Sequence, residues 1–349
     1  MTGTGEGAYG QIDQRTVAQE IEARLPHDGI GGTAIAVRID GRTLFFNYGS
    51  ADIAQERSIT SDSLFNVASI RKVFEATVVA QAFELSDLAF DDPVSRYVTE
   101  LQQGGDIRRV TVGQLATHTS GLLLPADHPP WVTQPYTLAE FIRTLDDWKL
   151  SEGQEPGQQR IYTHAGYVLL QLVLERKFGR PIADLIDDQV IAPLGLTSTM
   201  VPPRAPDGRA VQGYAENGDP VGKPGDQQTY YDFPGTGQMF SSARDLATFL
   251  AANLGEPPTN PALRQAMQFT QHAVFQVDAR NAQAMAWEVE DHDGIVVVDK
   301  PGGLNNSSTY IGLVPAQKLG LVILMNRGNQ YPHEFGRRFL VALARAHAD

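Results

Sequence analysis

Apolar positions follow a strand-like pattern at both ends of the chain. Residues 33–39 and 43–48 flank Asp40-Gly41, a dipeptide typical of a tight hairpin turn. Strand-like runs return in the C-terminal part, at residues 284–289, 295–298, 308–314 and 319–325. The two ends therefore predict antiparallel strands, and a helical pattern over residues 334–346 follows them.

The interior of the chain is predicted to be mostly helical. Apolar residues recur at helical spacing over residues 71–85, 138–145, 165–178 and 182–191. This order predicts an α+β fold, in which helices flank one antiparallel sheet built from N- and C-terminal strands, with a mostly helical region inserted. We expect residues 1–60 and 236–349 to form the sheet domain and residues 61–235 the helical region, with a catalytic cleft between them.

Ser69-Ile70-Arg71-Lys72 opens the first of these helical patterns. Residues three apart on a helix lie on one face, so the Lys72 ammonium is expected beside the Ser69 hydroxyl. A serine hydroxyl becomes a useful nucleophile when a base takes its proton and fixed donors receive the charge that develops on the substrate. The pattern predicts a nucleophile with its activating group nearby, and a solvated polar face is the alternative.

Two further segments carry side chains that acyl chemistry can use. Tyr162-Thr163-His164 opens a helical pattern after a Pro-Gly turn, so the Tyr162 oxygen can point into a cleft. His164 could line the same site or simply cap and pack the helix start. Lys300-Pro301-Gly302-Gly303 lies between two strand-like runs. A cation followed by glycines at a strand edge can hold an anion while the backbone comes close to it.

The three motifs, in this order, resemble those of the class C β-lactamases and of the penicillin-binding proteins and esterases that share their fold. That family carries Ser-x-x-Lys, then Tyr-x-Asn, then Lys-Thr-Gly. Similar segments occur at residues 46–49, 115–122, 193–196 and 286–289. The resemblance covers the chain from about residue 17 to its C-terminus.

This resemblance implies a serine acyl-enzyme mechanism that requires no metal and no organic cofactor. Ser69 would attack the acyl carbon while its proton moves toward Lys72 and Tyr162, the catalytic residues. The flanking ammonium groups of Lys72 and Lys300 favour a tyrosine phenolate. The backbone N–H groups of Ser69 and Gly303 would hold the oxyanion. The residues expected to bind the substrate or its oxyanion are Lys300, Gly302, Gly303 and His164.

Two departures from the family pattern fall on groups that would touch the substrate. His164 stands where asparagine is usual, and Pro301 where threonine is usual. Proline has neither a hydroxyl nor a backbone N–H, so carboxylated substrates are expected to bind more weakly. We expect a β-lactamase-related serine hydrolase of carboxylic esters or amides. Three alternatives stay open: a true class C β-lactamase, a D-amino-acid peptidase or amidase, and a penicillin-binding sensor that is acylated without turnover.

The amino-acid composition excludes some classes of binding partner but says little about the substrate. The net charge of -13 and the lack of a Lys/Arg run argue against nucleic acid. The chain has no cysteine, and its eight histidines show no metal-binding spacing, so neither disulfides nor a zinc site is expected. The expected partner is a small-molecule acyl substrate, and the sequence contains nothing that sets the oligomeric state.

The location is predicted from the start of the chain. The first residues lack the basic and apolar stretches of an export signal, which favours the cytoplasm unless a signal segment has been removed. If a signal segment has been removed, the protein is expected in the periplasm or outside the cell. No apolar run reaches the about 18 to 20 residues of a membrane helix.

Overall fold

The computed structural model describes residues 14–127, 134–227, 231–233, 239–256 and 260–348. Its strands are β1 (Gly32–Ile39), β2 (Arg42–Asp52), β3 (Arg57–Ser58), β4 (Phe65–Asn66), β5 (Tyr136–Thr137), β6 (Tyr231–Asp232), β7 (Phe240–Ser241), β8 (Phe275–Gln276), β9 (Asn281–Gln283), β10 (Glu288–His292), β11 (Ile295–Leu304), β12 (Ser307–Val314) and β13 (Leu319–Met325). Its α-helices are α1 (Gln14–Glu22), α2 (Arg71–Glu84), α3 (Val112–Ala116), α4 (Leu138–Asp147), α5 (His164–Phe178), α6 (Ile182–Ile186), α7 (Ala192–Leu194), α8 (Ala243–Asn253), α9 (Pro261–Thr270) and α10 (Pro332–Ala348).

Within the described residues, nine strands form one antiparallel sheet in the order β3-β2-β1-β13-β12-β11-β10-β9-β8. The N-terminal hairpin therefore pairs directly with the last strand, through β1 and β13. Asp40 and Gly41, which join β1 to β2, both have positive φ, as a tight hairpin turn requires. The predicted fold, with one sheet built from both ends of the chain and flanked by helices, is confirmed.

The central strands are buried on both faces. Every residue of β12 and β13 is buried, which explains their near-continuous apolar sequences. Ile35 and Ile323 face the layer formed by α1 and α10, whereas Ala34 and Val322 face the layer that contains α8. Because side chains alternate along a strand, each strand supplies both cores.

Two predicted strand boundaries are wrong. Residues 284–287 form a turn before β10, because Ala286 has a left-handed backbone and its N–H bonds to the Ala116 carbonyl. The predicted strand at 295–298 is longer and runs to Leu304, so the Lys300 motif lies within β11. Beyond Asp299, β11 pairs with β12 but has no β10 partner in the described chain. Such a one-sided edge can accommodate proline.

The helical pattern at 182–191 consists of α6 followed by a π-helical turn, Asp187–Ile191. Helices α2 to α7 all fall between residues 61 and 235. The division of the chain into a sheet domain and a helical region stays a prediction. None of the helices described here combines the length and the apolar character of a membrane span.

Candidate active site

Ser69 lies in a short 3-10 turn, Ala68–Ile70, that leads directly into α2. Ala68 has a φ of 49°, a left-handed conformation that is uncommon for a residue with a side chain. The Thr309 hydroxyl of β12 donates to the Val67 carbonyl at 3.0 Å. This contact ties the turn to the sheet and fixes the direction in which Ser69 points.

The three predicted catalytic side chains meet at this turn. The Ser69 Oγ and the Tyr162 hydroxyl lie 2.7 Å apart, a hydrogen bond in which either oxygen can donate. The Lys72 Nζ donates to the same Oγ at 3.4 Å. Helical spacing explains the second contact, and the loop before α5 supplies the first. The nucleophile candidate therefore has two possible proton acceptors within reach.

The environment of Lys72 favours its uncharged form more than water does. Removal of water from around its ammonium lowers the pKa of Lys72 to about 8. The negative charge of Glu75 works in the opposite direction, whereas the positive charge of Arg71 lowers the pKa of Lys72 further. An uncharged fraction of Lys72 therefore exists near neutral pH, as a general base requires.

Lys300 is only 1% exposed and approaches Tyr162 from the sheet side. Its Nζ lies 4.6 Å from the centre of the Tyr162 ring and 3.7 Å from Glu288 Oε1. The same carboxylate oxygen accepts a hydrogen bond from Arg160 at 3.1 Å. Burial acts to raise the pKa of Glu288, but the charges of Lys300, Arg160 and Arg337 together outweigh burial and keep that pKa below its usual value.

Asp127 organises the start of α5. Its Oδ1 accepts hydrogen bonds from the backbone N–H groups of His164 and Ala165, the latter at 3.2 Å. Its Oδ2 accepts from the Thr163 hydroxyl at 3.1 Å. A carboxylate at a helix N-terminus satisfies free N–H groups and interacts well with the helix dipole. Asp127 thus holds the three residues that follow Tyr162.

The His118 ring packs against the Tyr162 ring. The two ring centres are 4.4 Å apart. The His118 carbonyl accepts the Ile161 N–H at 2.8 Å, and its Nδ1 accepts the Thr163 N–H at 3.4 Å. Both chain neighbours of Tyr162 are therefore bonded to one fully buried residue, which limits the motion of the tyrosine.

His164 both begins α5 and lines the cleft. Burial is the main reason that the pKa of His164 falls to about 3, and the charges of Lys72 and Lys300 add to this effect. The imidazole is therefore neutral throughout the ordinary pH range. It can offer hydrogen bonds to a substrate, but it adds no positive charge.

The two glycines of the third motif differ in their surroundings. A Cβ at Gly302 would lie 2.8 Å from the Val67 carbonyl oxygen and 3.1 Å from the Ala68 Cβ. Glycine is needed here because the strand touches the nucleophile turn. A Cβ at Gly303 would meet no atom within 4 Å, because this residue borders open space.

All seven predicted site residues lie at or beside one cleft of about 720 Å³. Its lining includes Ser69, Arg160, Tyr162, His164, Glu288, Lys300, Pro301, Gly302, Gly303, Asn305, Asn329, Tyr331 and His333. Arg160, Glu288 and Asp127 were not predicted from the sequence. Arg160 is two residues before Tyr162, but its partner Glu288 is 128 residues away, so no local pattern marks the pair.

Almost the whole chain is similar to known proteins of one family. The model of the beta-lactamase family matches residues 17–346. A beta-lactamase from Pseudomonas fluorescens is 26% identical over an alignment that covers 92% of this chain and 94% of that protein. The crystal structure of a D-alanine carboxypeptidase from Burkholderia cenocepacia has a TM-score of 0.80 at 25% identity, covering 94% of this chain and 98% of the other.

A class C beta lactamase from Rhodobacter sphaeroides is similarly close, with a TM-score of 0.78 at 27% identity, covering 91% of this chain and 96% of the other. The family match includes the turn that holds Ser69, the loop that holds Tyr162 and the strand that holds Lys300. The chain therefore belongs to the beta-lactamase family and is a β-lactamase-related serine hydrolase.

Proposed function

We propose that this enzyme hydrolyses neutral carboxylic esters through an acyl-enzyme on Ser69, and that it hydrolyses β-lactams slowly or not at all. The contact of the Ser69 Oγ with the Tyr162 hydroxyl at 2.7 Å carries the proposed mechanism. The presence of Pro301 in the cleft wall supports the proposed substrate preference.

In the first half of the reaction, the Ser69 oxygen bonds to the acyl carbon as its proton passes to Tyr162 or Lys72. The carbonyl oxygen becomes an oxyanion, for which we propose the backbone N–H groups of Ser69 and Gly303 as donors. When the oxyanion collapses, the ester C–O bond breaks and the leaving alkoxide takes the proton. In the second half, water gives up a proton to the same base and its oxygen bonds to the acyl carbon. The bond between that carbon and the Ser69 Oγ then breaks, the base returns the proton to Oγ, and the acid is released.

The proposed preference for neutral substrates rests on the groups that remain to bind an anion. Lys300 and Arg160 share the carboxylate of Glu288 with a third cation, Arg337, so this carboxylate offsets only part of their charge. His164 is neutral, and Pro301 offers neither an N–H nor a hydroxyl donor. A substrate carboxylate would therefore find fewer free donors than in the family pattern of Lys-Thr-Gly.

The deciding experiment is steady-state hydrolysis of p-nitrophenyl butyrate and of a chromogenic cephalosporin, side by side. We expect continuing turnover of the ester, little turnover of the cephalosporin, and no turnover by Ser69→Ala in either assay. Fast cephalosporin hydrolysis would instead identify a true β-lactamase. A single burst of product equal to the enzyme concentration would identify a sensor, and release of D-alanine from a D-alanyl-D-alanine peptide would identify a peptidase.

The nucleophile has an independent test. A fluorophosphonate probe should label the native enzyme at Ser69 and should leave Ser69→Ala unlabelled. Tyr162→Phe keeps the ring beside His118 but removes the hydroxyl that contacts Ser69, so it should label much more slowly. Labelling of Ser69→Ala at the native rate would eliminate Ser69 as the nucleophile.

A further inference from the structure

A buried glutamate, Glu75, lies on the same helix as Lys72. Glu75 follows Lys72 by one helical turn on α2, and it is 2% exposed. Its Oε2 lies 3.7 Å from the Arg71 guanidinium. Its Oε1 has no hydrogen-bond partner within the part of the chain that the structure describes. A buried carboxyl with one unsatisfied oxygen is costly, so it requires an explanation.

The packing around Glu75 does not give a purely structural explanation for its buried carboxyl. Arg71 donates to the Gln171 side chain at 3.1 Å, and Gln171 donates to Glu175 at 3.3 Å. Glu175 also accepts the Ile182 N–H at 2.9 Å, which anchors the start of α6. Glu175 is thus the acid with a structural task, whereas among the described residues the Glu75 carboxyl approaches Arg71 without a hydrogen bond to its Oε1.

Charged and titratable groups face Glu75 from two helices. Arg71 and Lys72 lie on its own helix, and Tyr167 and Glu175 lie on α5. The Lys72 Nζ is itself 5.7 Å from the centre of the Tyr167 ring. The negative charge of Asp127 also acts on the Lys72 ammonium. The charge of Glu75 therefore acts on Lys72, and Lys72 in turn contacts the Ser69 Oγ.

The two groups influence each other in a predictable direction. Burial raises the pKa of Glu75 to about 7, although Arg71 and Lys72 oppose the rise. A charged Glu75 stabilises the protonated form of Lys72 and so raises the pKa of the lysine. Each group therefore titrates in a range where the charge of the other matters, which is the condition for coupled titration.

We propose that Glu75 is a positioning residue that acts through Lys72. Its carboxylate stabilises the ammonium form of Lys72 and so raises the pH at which the lysine becomes available as a base. This inference rests on the proposed role of Lys72 as a proton acceptor for Ser69. It accounts for a buried acid that no step of the proposed reaction uses directly.

The test compares Glu75→Gln with the native enzyme. Glutamine keeps the shape and removes the charge, so Lys72 should lose its proton at lower pH. The acid limb of the kcat/KM profile for p-nitrophenyl butyrate should then move down by about half a pH unit or more, which is about a threefold gain in kcat/KM on that limb. An unmoved acid limb in a folded, active Glu75→Gln would overturn the proposal.

Glu175→Gln is the matched control. It removes a carboxyl from the same buried group, yet Glu175 is not among the charges that act on Lys72. Glutamine can still accept the Ile182 N–H, so this variant should fold. Because Glu175 raises the pKa of Glu75, its removal favours the Glu75 carboxylate, so the acid limb should stay in place or move up, opposite to the shift in Glu75→Gln. An equal shift in both variants would show a general loss of buried negative charge and would contradict a specific role for Glu75.

A measurement on the native enzyme covers the case in which Glu75→Gln does not fold. The ¹³Cε resonance of Lys72, identified by its absence in Lys72→Arg, should titrate in two steps because it senses both protons. A single step would overturn the inference. Loss of fluorophosphonate labelling in Ser69→Ala, together with a single-step Lys72 titration, would leave the proposed function in place and remove only the role of Glu75.

Discussion

Pro301 and His164 both line the cleft and depart from the family pattern. Both border the space next to Ser69. Pro301 offers neither an N–H nor a hydroxyl donor, and burial keeps His164 neutral. The proposed nucleophile and its neighbours are intact around them, so these two residues are expected to alter substrate choice and leave the acylation chemistry unchanged.

Replacement of Pro301 tests the specificity proposal. Pro301→Thr should raise kcat/KM for a carboxylated cephalosporin about tenfold relative to the neutral ester, because a hydrogen bond to a charged group contributes about 1.5 kcal/mol or more. Pro301→Ala is the control, since it restores the N–H without the hydroxyl. An unchanged ratio of the two kcat/KM values in Pro301→Thr would contradict the account.

His164→Asn separates a titrating role from a packing role. Unfolded His164 takes up a proton near its ordinary value of about 6.5, whereas the folded residue stays neutral until about pH 3. The unfolded state therefore binds more protons in this window, and stability falls as the pH drops through it. The urea stability of His164→Asn should fall less steeply on acidification, while its kcat/KM profile above pH 5 stays in place. A shift of that profile would show that the imidazole titrates during catalysis.

Residues that carry chemistry by type and spacing could be predicted from the sequence, and their partners could not. Ser69, Lys72 and Tyr162 stand in recognisable motifs, and the structure brings their polar atoms together. Asp127 and Glu288 are ordinary acids in the sequence. Their importance comes from burial and from partners far along the chain, which no local pattern reveals.

At the scale of elements, α5 and β11 hold the two sides of the cleft. The start of α5 is bound by Asp127, and the outer part of β11 is supported only by β12 among the described strands. The helix was predicted well because its apolar spacing is regular. The strand was cut short because Pro301, Gly302 and Gly303 are typical of a turn, and a one-sided edge overrides that local preference.

Asp127→Ala tests the link between the start of α5 and the proposed active site. The change leaves several N–H groups without an acceptor and should lower the free energy of unfolding by about 1–3 kcal/mol, measured by urea denaturation. It should also lower kcat/KM for the ester, because the residues after Tyr162 lose their anchor. Thr137→Ala is the control: it removes the cap of α4, so we expect a smaller loss of stability and native kcat/KM. Full activity in Asp127→Ala would show that α5 holds Tyr162 without this cap.

At the scale of the whole molecule, the sheet joins the two ends of the chain. Strand β13 lies between β1 and β12, so neither half of the sequence contains the complete sheet. The apolar pattern predicted the long strands of this sheet and missed its short strands, β3, β8 and β9. It could not predict their order, because partner choice depends on how the helices cover both faces once the chain has folded.

Asn326, at the end of β13, should measure the strength of this junction. Its side chain is 1% exposed, accepts the Gly32 N–H at 2.6 Å and donates to the carbonyls of Ser50 and Gln212. Asn326→Ala should lower the free energy of unfolding by about 1–3 kcal/mol, because buried backbone groups lose their partner. Exposed Asn217→Ala, which loses only local hydrogen bonds, should change it little. Equal urea midpoints for the two variants would show that the junction does not depend on Asn326.

The close approach of Gly302 to Ala68 restricts how this enzyme could diverge. A larger side chain at position 302 would strike the Val67 carbonyl and the Ala68 methyl group, so the two segments can change only in concert. Tyr331 lines the same cleft, but its side chain is 59% exposed and therefore less restricted by packing. Laboratory evolution toward new acyl donors should therefore accumulate its substitutions around Tyr331 and leave the floor beneath Ser69 untouched.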